Sequence, residues 1–374
     1  MILPFQSEMS DMSTTRSPEV NDYAFNNSPL HQALVMIFFT PLILIIIFGN
    51  ALVIVATYKE PRLRTQRYII LASLALSDLC IGLIATPLEL YSRVVQDDIT
   101  CSVAKSGYFT AWLYVLVYVS IVHIVLITVD RLIALKRPLR YIALVTTKRV
   151  CIVIAVVWIG GISYGIVSVI ELGYSKDDTL TQFCTGVRYT SLSARCFLLG
   201  SASAILFLGI ILISLNMWIH RIAVNHSRRI HENLLAPPPH PRIAWQGIGL
   251  QQLKATKTTL LVVGMFCMGW FPTSIWFYLR VYASISHVGQ IILFELSFFI
   301  ANFSSAVNPF IYCFKDSLYR RTFCKIFPPL GNVLKRSRWD FERNSFIELK
   351  DGAEMNHVVV PKPDGPHSRS ILLK

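Results

Sequence analysis

Residues 33–58 read ALVMIFFTPLILIIIFGNALVIVATY, 26 positions without one charged side chain. As a helix this run would rise about 39 Å at 1.5 Å per residue, enough to cross a hydrocarbon core of about 30 Å. Comparable runs recur at Tyr68–Tyr91, Gly107–Leu135, Val150–Leu172, Cys196–Ile219, Thr258–Leu279 and Val288–Phe314. Membrane strands would be segments of about ten alternating residues, so helices are expected. One such run could be a buried core helix; seven of this length are read as membrane spans.

Composition agrees. Of 374 residues, 53% are hydrophobic and 15% charged, against about 25% charged in an average soluble domain. Mean hydropathy is +0.52. Lys and Arg outnumber Asp and Glu by 35 to 22, a surplus that fits nucleic acid or a membrane surface equally until its placement is read. The first connection holds Lys59, Arg62, Arg64 and Arg67. The third holds Lys136, Arg137, Arg140, Lys148 and Arg149. Arg221, Arg228, Arg229, Arg242 and Lys254 fall in the fifth, and Lys315, Arg320, Arg321 and Lys325 follow the last span. The even connections are sparsely basic, with Lys105, Lys176 and Arg188. Basic loops stay in the cytoplasm, so the N-terminus is expected outside, the C-terminus inside, and no nucleic-acid partner. Eight scattered cysteines without a CxxC pair exclude a disulfide scaffold and a zinc site.

The expected organisation is an extracellular segment 1–32, a bundle 33–314, an amphipathic cytoplasmic helix 315–327 and a disordered tail 328–374. Segment 1–32 lacks the basic and apolar regions of a signal peptide. Asn26-Asn27-Ser28 is a glycosylation sequon on the expected outer side. Pro237, Pro238, Pro239 and Pro241 mark the fifth connection as an extended linker.

Ionisable groups within spans are costly in lipid and mark function by default. Asp78 sits mid-span in the second run, and Asp130-Arg131 closes the third. Pro309 after Asn308, and Pro272 two residues past Trp270, each free a backbone carbonyl that polar neighbours or water must satisfy.

Together these residues resemble the rhodopsin-like family of G-protein-coupled receptors over roughly residues 33–327. Gly49-Asn50 and Ser73-Leu74-Ala75-Leu76-Ser77-Asp78 match the first two helix signatures. Asp130-Arg131-Leu132 is similar to the Asp-Arg-Tyr motif, and Trp158 to the fourth-helix tryptophan. Phe266 with Trp270-Phe271-Pro272 resembles the sixth-helix signature, and Asn308-Pro309-Phe310-Ile311-Tyr312 that of the seventh. The resemblance implies an all-α membrane protein: a seven-transmembrane helix bundle with a short amphipathic eighth helix, in the plasma membrane, and not an enzyme. It implies an outer ligand that stabilises one of two packings and opens the inner end to a heterotrimeric G protein. Trp270 and Phe266 would form the packing switch. Arg131 would exchange Asp130 for the G protein, and Tyr312 would swing inward. Asp78, Ser120, Ser304, Ser305 and Asn308 fall where members hold a sodium ion; hydrogen bonding through water is the plainer alternative. The resemblance also implies a Cys101–Cys184 disulfide; Cys324 is a candidate for palmitoylation, a spare cysteine being the plainer alternative. Cys101 lies 30 residues before Arg131, some five more than the family's pattern, which leaves Cys196 as an alternative partner.

The chain departs from the family in places. Leu208 stands for the fifth-helix proline, Asn216 for the inner fifth-helix tyrosine and Gly269 for the cysteine before Trp270. Gln252 stands where many members carry an acid that holds the motif arginine. Raised ligand-independent signalling is expected from that last change. Asn302 replaces the retinal-binding lysine, so no photopigment is expected. Leu113 replaces the ammonium-binding aspartate of aminergic receptors, so a standard monoamine site is not expected either. Glu89, Leu113, Tyr114, Val117, Trp270, Trp276, Phe277, Phe298 and Asn302 are the candidate ligand contacts, for a small molecule or short peptide. Arrestin and membrane lipid are further expected partners. A constitutively active orphan, a receptor-fold protein acting only through another receptor, and a seven-helix transporter are the competing readings. Neither internal repeats nor paired broken helices favour the transporter.

Overall fold

A computed structural model describes residues 28–95, 108–137, 140–173, 192–232, 243–283 and 286–329. Among these, seven helices are long and apolar enough to cross a membrane. Helix α1 is Pro29–Lys59, and α2 comprises Gln66–Cys80, a π turn at Ile81–Ala85 and Thr86–Val94. Then come α3 (Tyr108–Lys136), α4 (Thr147–Gly173), α5 (Leu192–Glu232), α6 (Ile243–Tyr282), α7 (His287–Lys315) and the short α8 (Ser317–Ile326). The chain divides into two compact units, Met1–Thr322 and Phe323–Lys374. Of the second, residues 323–329 are described; Phe323 is buried and Cys324 half-buried with a free thiol.

Local chemistry sets the ends. Ser28 caps α1, its Oγ accepting from His31 N at 3.2 Å, while Pro29 occupies a first-turn position where a missing N–H costs nothing. Ser286 caps α7 through Gly289 N at 3.2 Å. The π turn in α2 lies just before Pro87, whose ring clashes with the carbonyl four residues back and cannot donate to it; widening one turn relieves both.

Helix α3 is the central element. Its most apolar stretch is 61% buried, against 22% for α4 and α5. The exposed faces of the outer helices are apolar, with Ile152, Val156, Ile159, Ile166 and Ile170 on α4. Such a surface is unfavourable in water and suited to lipid. Helix α4 seats on α3 through glycines. A Cβ at Gly165 would lie 2.3 Å from Val115 Cγ2 and 3.2 Å from the Ala111 carbonyl, and one at Gly161 would lie 2.6 Å from Val119 Cγ2. Gly49 likewise admits Pro309 of α7, whose Cγ would be 3.0 Å from an added Cβ. Small residues permit such approaches between membrane helices.

Two span boundaries differ from the sequence reading. Helix α5 continues to Glu232 rather than ending near Ile219, and α6 begins at Ile243 rather than Thr258. Hydropathy registers only the lipid-embedded part of a helix, and backbone hydrogen bonding carries these two past it through polar residues. The proline-rich stretch outside the described residues is confined to 233–242.

Candidate functional site

The polar core of the bundle begins at Asp78 on α2. Its carboxylate accepts from Ser305 Oγ at 2.7 Å and from Asn308 Nδ2 at 2.8 Å. Pro309 has no N–H to donate to Ser305 O four residues back, which leaves that carbonyl open to a side-chain donor. Asn50 of α1 reaches the same place, donating to Ile46 O at 2.9 Å and Ser305 O at 3.3 Å. Asp78, Ser120, Ser304, Ser305 and Asn308 line one cavity, with Phe266 and Trp270 on its α6 wall. Its volume is about 10 Å³, the room one water-sized occupant needs. Ser120 also pairs with Ser77 at 3.1 Å, and Ser304 donates to Ala301 O at 2.6 Å. The rings of Phe266 and Trp270 lie 6.4 Å apart and tilted, both buried.

At one end of the bundle Arg131 forks onto Asp130 Oδ2, with Nε at 3.0 Å and the second nitrogen closer still. Tyr141, on a single helical turn Tyr141–Leu144, donates its hydroxyl to Asp130 Oδ1 at 2.6 Å. Burial, reinforced by Asp130, holds the Tyr141 phenol well above its ordinary range, so it remains a donor. Tyr312 lies fully buried at this end. Its ring stacks on Tyr319 at 5.8 Å, and its hydroxyl has no hydrogen-bond partner among the described residues. Tyr319 is fixed from three sides: by Thr57 Oγ1 at 3.1 Å, by the edge of Tyr68 at 5.4 Å and by Tyr312. Asp316 joins the set, capping α8 through Leu318 N at 2.9 Å while accepting from Tyr68 at 2.9 Å.

This arrangement matches a known pattern. The profile of the seven-transmembrane receptors of the rhodopsin family fits residues 49–312, most of the bundle. The chain belongs to that family. Among relatives, the histamine H2 receptor of Canis lupus familiaris is 27% identical over 311 residues, 80% of this chain and 81% of that protein. The Homo sapiens histamine H2 receptor is 27% identical over 290 residues, 76% and 77% of the two chains. The adenosine receptor A2a of Canis lupus familiaris is 25% identical over 299 residues, 78% and 70%.

Elsewhere the receptor has polar ties that its sequence did not announce. His123 Nδ1 lies 2.7 Å from Val119 O, and an imidazole nitrogen facing a carbonyl must carry the proton. Its Nε2 is therefore an acceptor, for Ser73 Oγ at 2.8 Å, and Ser73 in turn accepts from Trp158 Nε1 at 3.1 Å. One histidine thus joins α2, α3 and α4. Asn216 donates to Thr128 Oγ1 at 3.0 Å and to Leu212 O at 2.9 Å, tying α5 to α3. Only the spacing of small polar residues on neighbouring spans could have flagged these pairs.

At the opposite end the candidate ligand contacts divide into groups. Tyr114 packs its ring on Phe197 and Tyr164, facing α4 and α5, and Val117 is buried on the same helix. Leu113 and Phe298 meet in an apolar cluster with Val35, Phe39 and Leu90. Trp276 is buried between Phe277 and Phe294, donates to Gln290 O at 3.0 Å and lies under the Arg280 guanidinium. Asn302 bridges helices, accepting from Thr86 Oγ1 at 2.5 Å and donating to Phe298 O at 2.9 Å. Glu89 is half-buried near the end of α2, and Glu295 lies 3.9 Å from His31 Nε2. Asn26, Cys101 and Cys184, with the side chain of Gln252, lie outside the described residues.

Proposed function

We propose that the receptor carries a signal from a small molecule or short peptide, held near Trp276, Phe277 and Tyr114, to a heterotrimeric G protein at the Arg131 end. The observation that supports this is the Arg131–Asp130–Tyr141 cluster together with a buried Tyr312 hydroxyl that has no hydrogen-bond partner among the described residues. Arg131 is held by contacts that an incoming helix can replace, and the Tyr312 hydroxyl is free to take a new partner if the ring swings inward. The basic connections support an orientation with that end in the cytoplasm and the N-terminus outside the plasma membrane. Glycosylation of Asn26, a Cys101–Cys184 disulfide, palmitoylation of Cys324, and arrestin and lipid contacts belong to the same reading.

The α3 wall supports a ligand other than a standard monoamine. Leu113 contributes an apolar surface where an ammonium group would need a carboxylate. Two of the relatives above are named for histamine, and that ligand is not carried over. The test is a ligand panel read by G-protein activation, with Arg131→Ala as control. An agonist response lost in Arg131→Ala at equal surface expression is expected. A response that survives Arg131→Ala would overturn the reading.

We further propose that the Asp78 cavity takes a sodium ion. One carboxylate among the hydroxyls of Ser120, Ser304 and Ser305 is a hard-donor set suited to such a cation. Replacing choline by sodium is expected to raise the thermal unfolding temperature of the purified receptor, and Asp78→Asn to remove that dependence. Equal sodium dependence in both would refute it.

A further inference from the structure

At Gly269, one residue before Trp270, the backbone of α6 passes close against α7. A Cβ built on Gly269 would stand 2.9 Å from Ser304 Oγ, 3.0 Å from Ser304 Cβ and 3.2 Å from Ala301 Cα. The hydroxyl could turn aside, at the loss of its bond to Ala301 O. The other two atoms can withdraw only if one helix moves. Ser304 and Trp270 also wall the Asp78 cavity, so this contact lies where α6, α7 and the polar core meet. Gly264, five residues earlier on α6, has nothing within 4 Å of its own added Cβ.

We infer that Gly269 is a positioning residue for activation: its missing side chain seats α6 against Ser304 and Ala301 and holds the receptor in the closed packing. This rests on the two-packing reading of function above. In the closed packing an added methyl must displace α6 or α7. In any packing where α6 has turned away from α7 that clash is relieved. A substitution therefore penalises one state more than the other, which is the condition for shifting a population. The gain in helix propensity from Gly to Ala applies to α6 in both packings and cancels.

The experiment places Gly269→Ala, Gly269→Cys and Gly269→Val beside Gly264→Ala in the full-length receptor. Ligand-independent G-protein activation is measured at matched surface expression, and amide hydrogen exchange of α6 residues 256–268 in lipid nanodiscs. For Gly269→Ala the closed-to-open equilibrium is expected to shift about fivefold or more, the lower range for a methyl forced into a packed site. Basal activation and α6 exchange should both rise, increasing with side-chain size, while Gly264→Ala matches wild type. Faster α6 exchange without G-protein activation in any variant would uphold the seat and count against G-protein coupling. Unchanged exchange in Gly269→Val would overturn the inference. So would exchange that rises equally in every helix with signalling lost, since Gly269 would then serve packing alone.

Discussion

Asp130→Asn is expected to raise ligand-independent G-protein activation strongly while leaving Arg131 in place. The carboxylate accepts two nitrogens of Arg131 and the hydroxyl of Tyr141, and Asp130 is buried. Hydrogen bonds to charged groups contribute about 1.5–3 kcal/mol, so their loss moves the closed–open balance roughly ten- to hundredfold. Tyr141→Phe deletes one donor and leaves the ion pair, so its effect is smaller. Gln252→Glu, which restores the acid of the family's pattern, is expected to run the other way and lower basal signalling. Activation assays normalised to surface expression read all three. Wild-type basal activity in Asp130→Asn would remove the ion pair from the switch.

His123→Ala is expected to be the most destabilising single change among the three-helix contacts. The imidazole is completely buried and makes two hydrogen bonds. Alanine leaves a cavity and an unsatisfied Ser73 hydroxyl proton. Cavity and hydrogen-bond terms together amount to about 2–4 kcal/mol. Trp158→Phe loses one indole bond and little volume, and hydrogen bonds between membrane helices average about 0.6 kcal/mol, so it should fall well short of that. Thermal unfolding in detergent gives the order: His123→Ala lowest, Trp158→Phe close to wild type. If the two unfold together, His123 is a packing group and the node is not a tie.

Some of this was legible in the chain because it depends on local physics. Seven long apolar runs require helices in lipid, since no other open backbone can satisfy its polar groups there. Asp78, Arg131 and the Asn308-Pro309 pair were conspicuous because ionisable groups and prolines are costly inside a span. Other features depend on what stands opposite, and sequence carries no coordinate for that. Tyr319 carries no signal in the chain itself, yet it closes a cluster with Thr57, Tyr68 and Tyr312. Gly269 read as a departure from a family pattern, and its meaning came from Ser304 lying against it. Asn302 was first notable for a missing lysine; its amide in fact joins α7 to Thr86.

The sequence by itself determined the solvent, the number of crossings and which charges would have to be housed within them. Each follows from transfer free energies that act residue by residue. Tertiary structure alone decided the partners: Ser305 and Asn308 on Asp78, Tyr141 on Asp130, Ser73 between His123 and Trp158. Those pairings are set by helix rotation and separation, which small residues such as Gly49, Gly161 and Gly269 permit but do not announce.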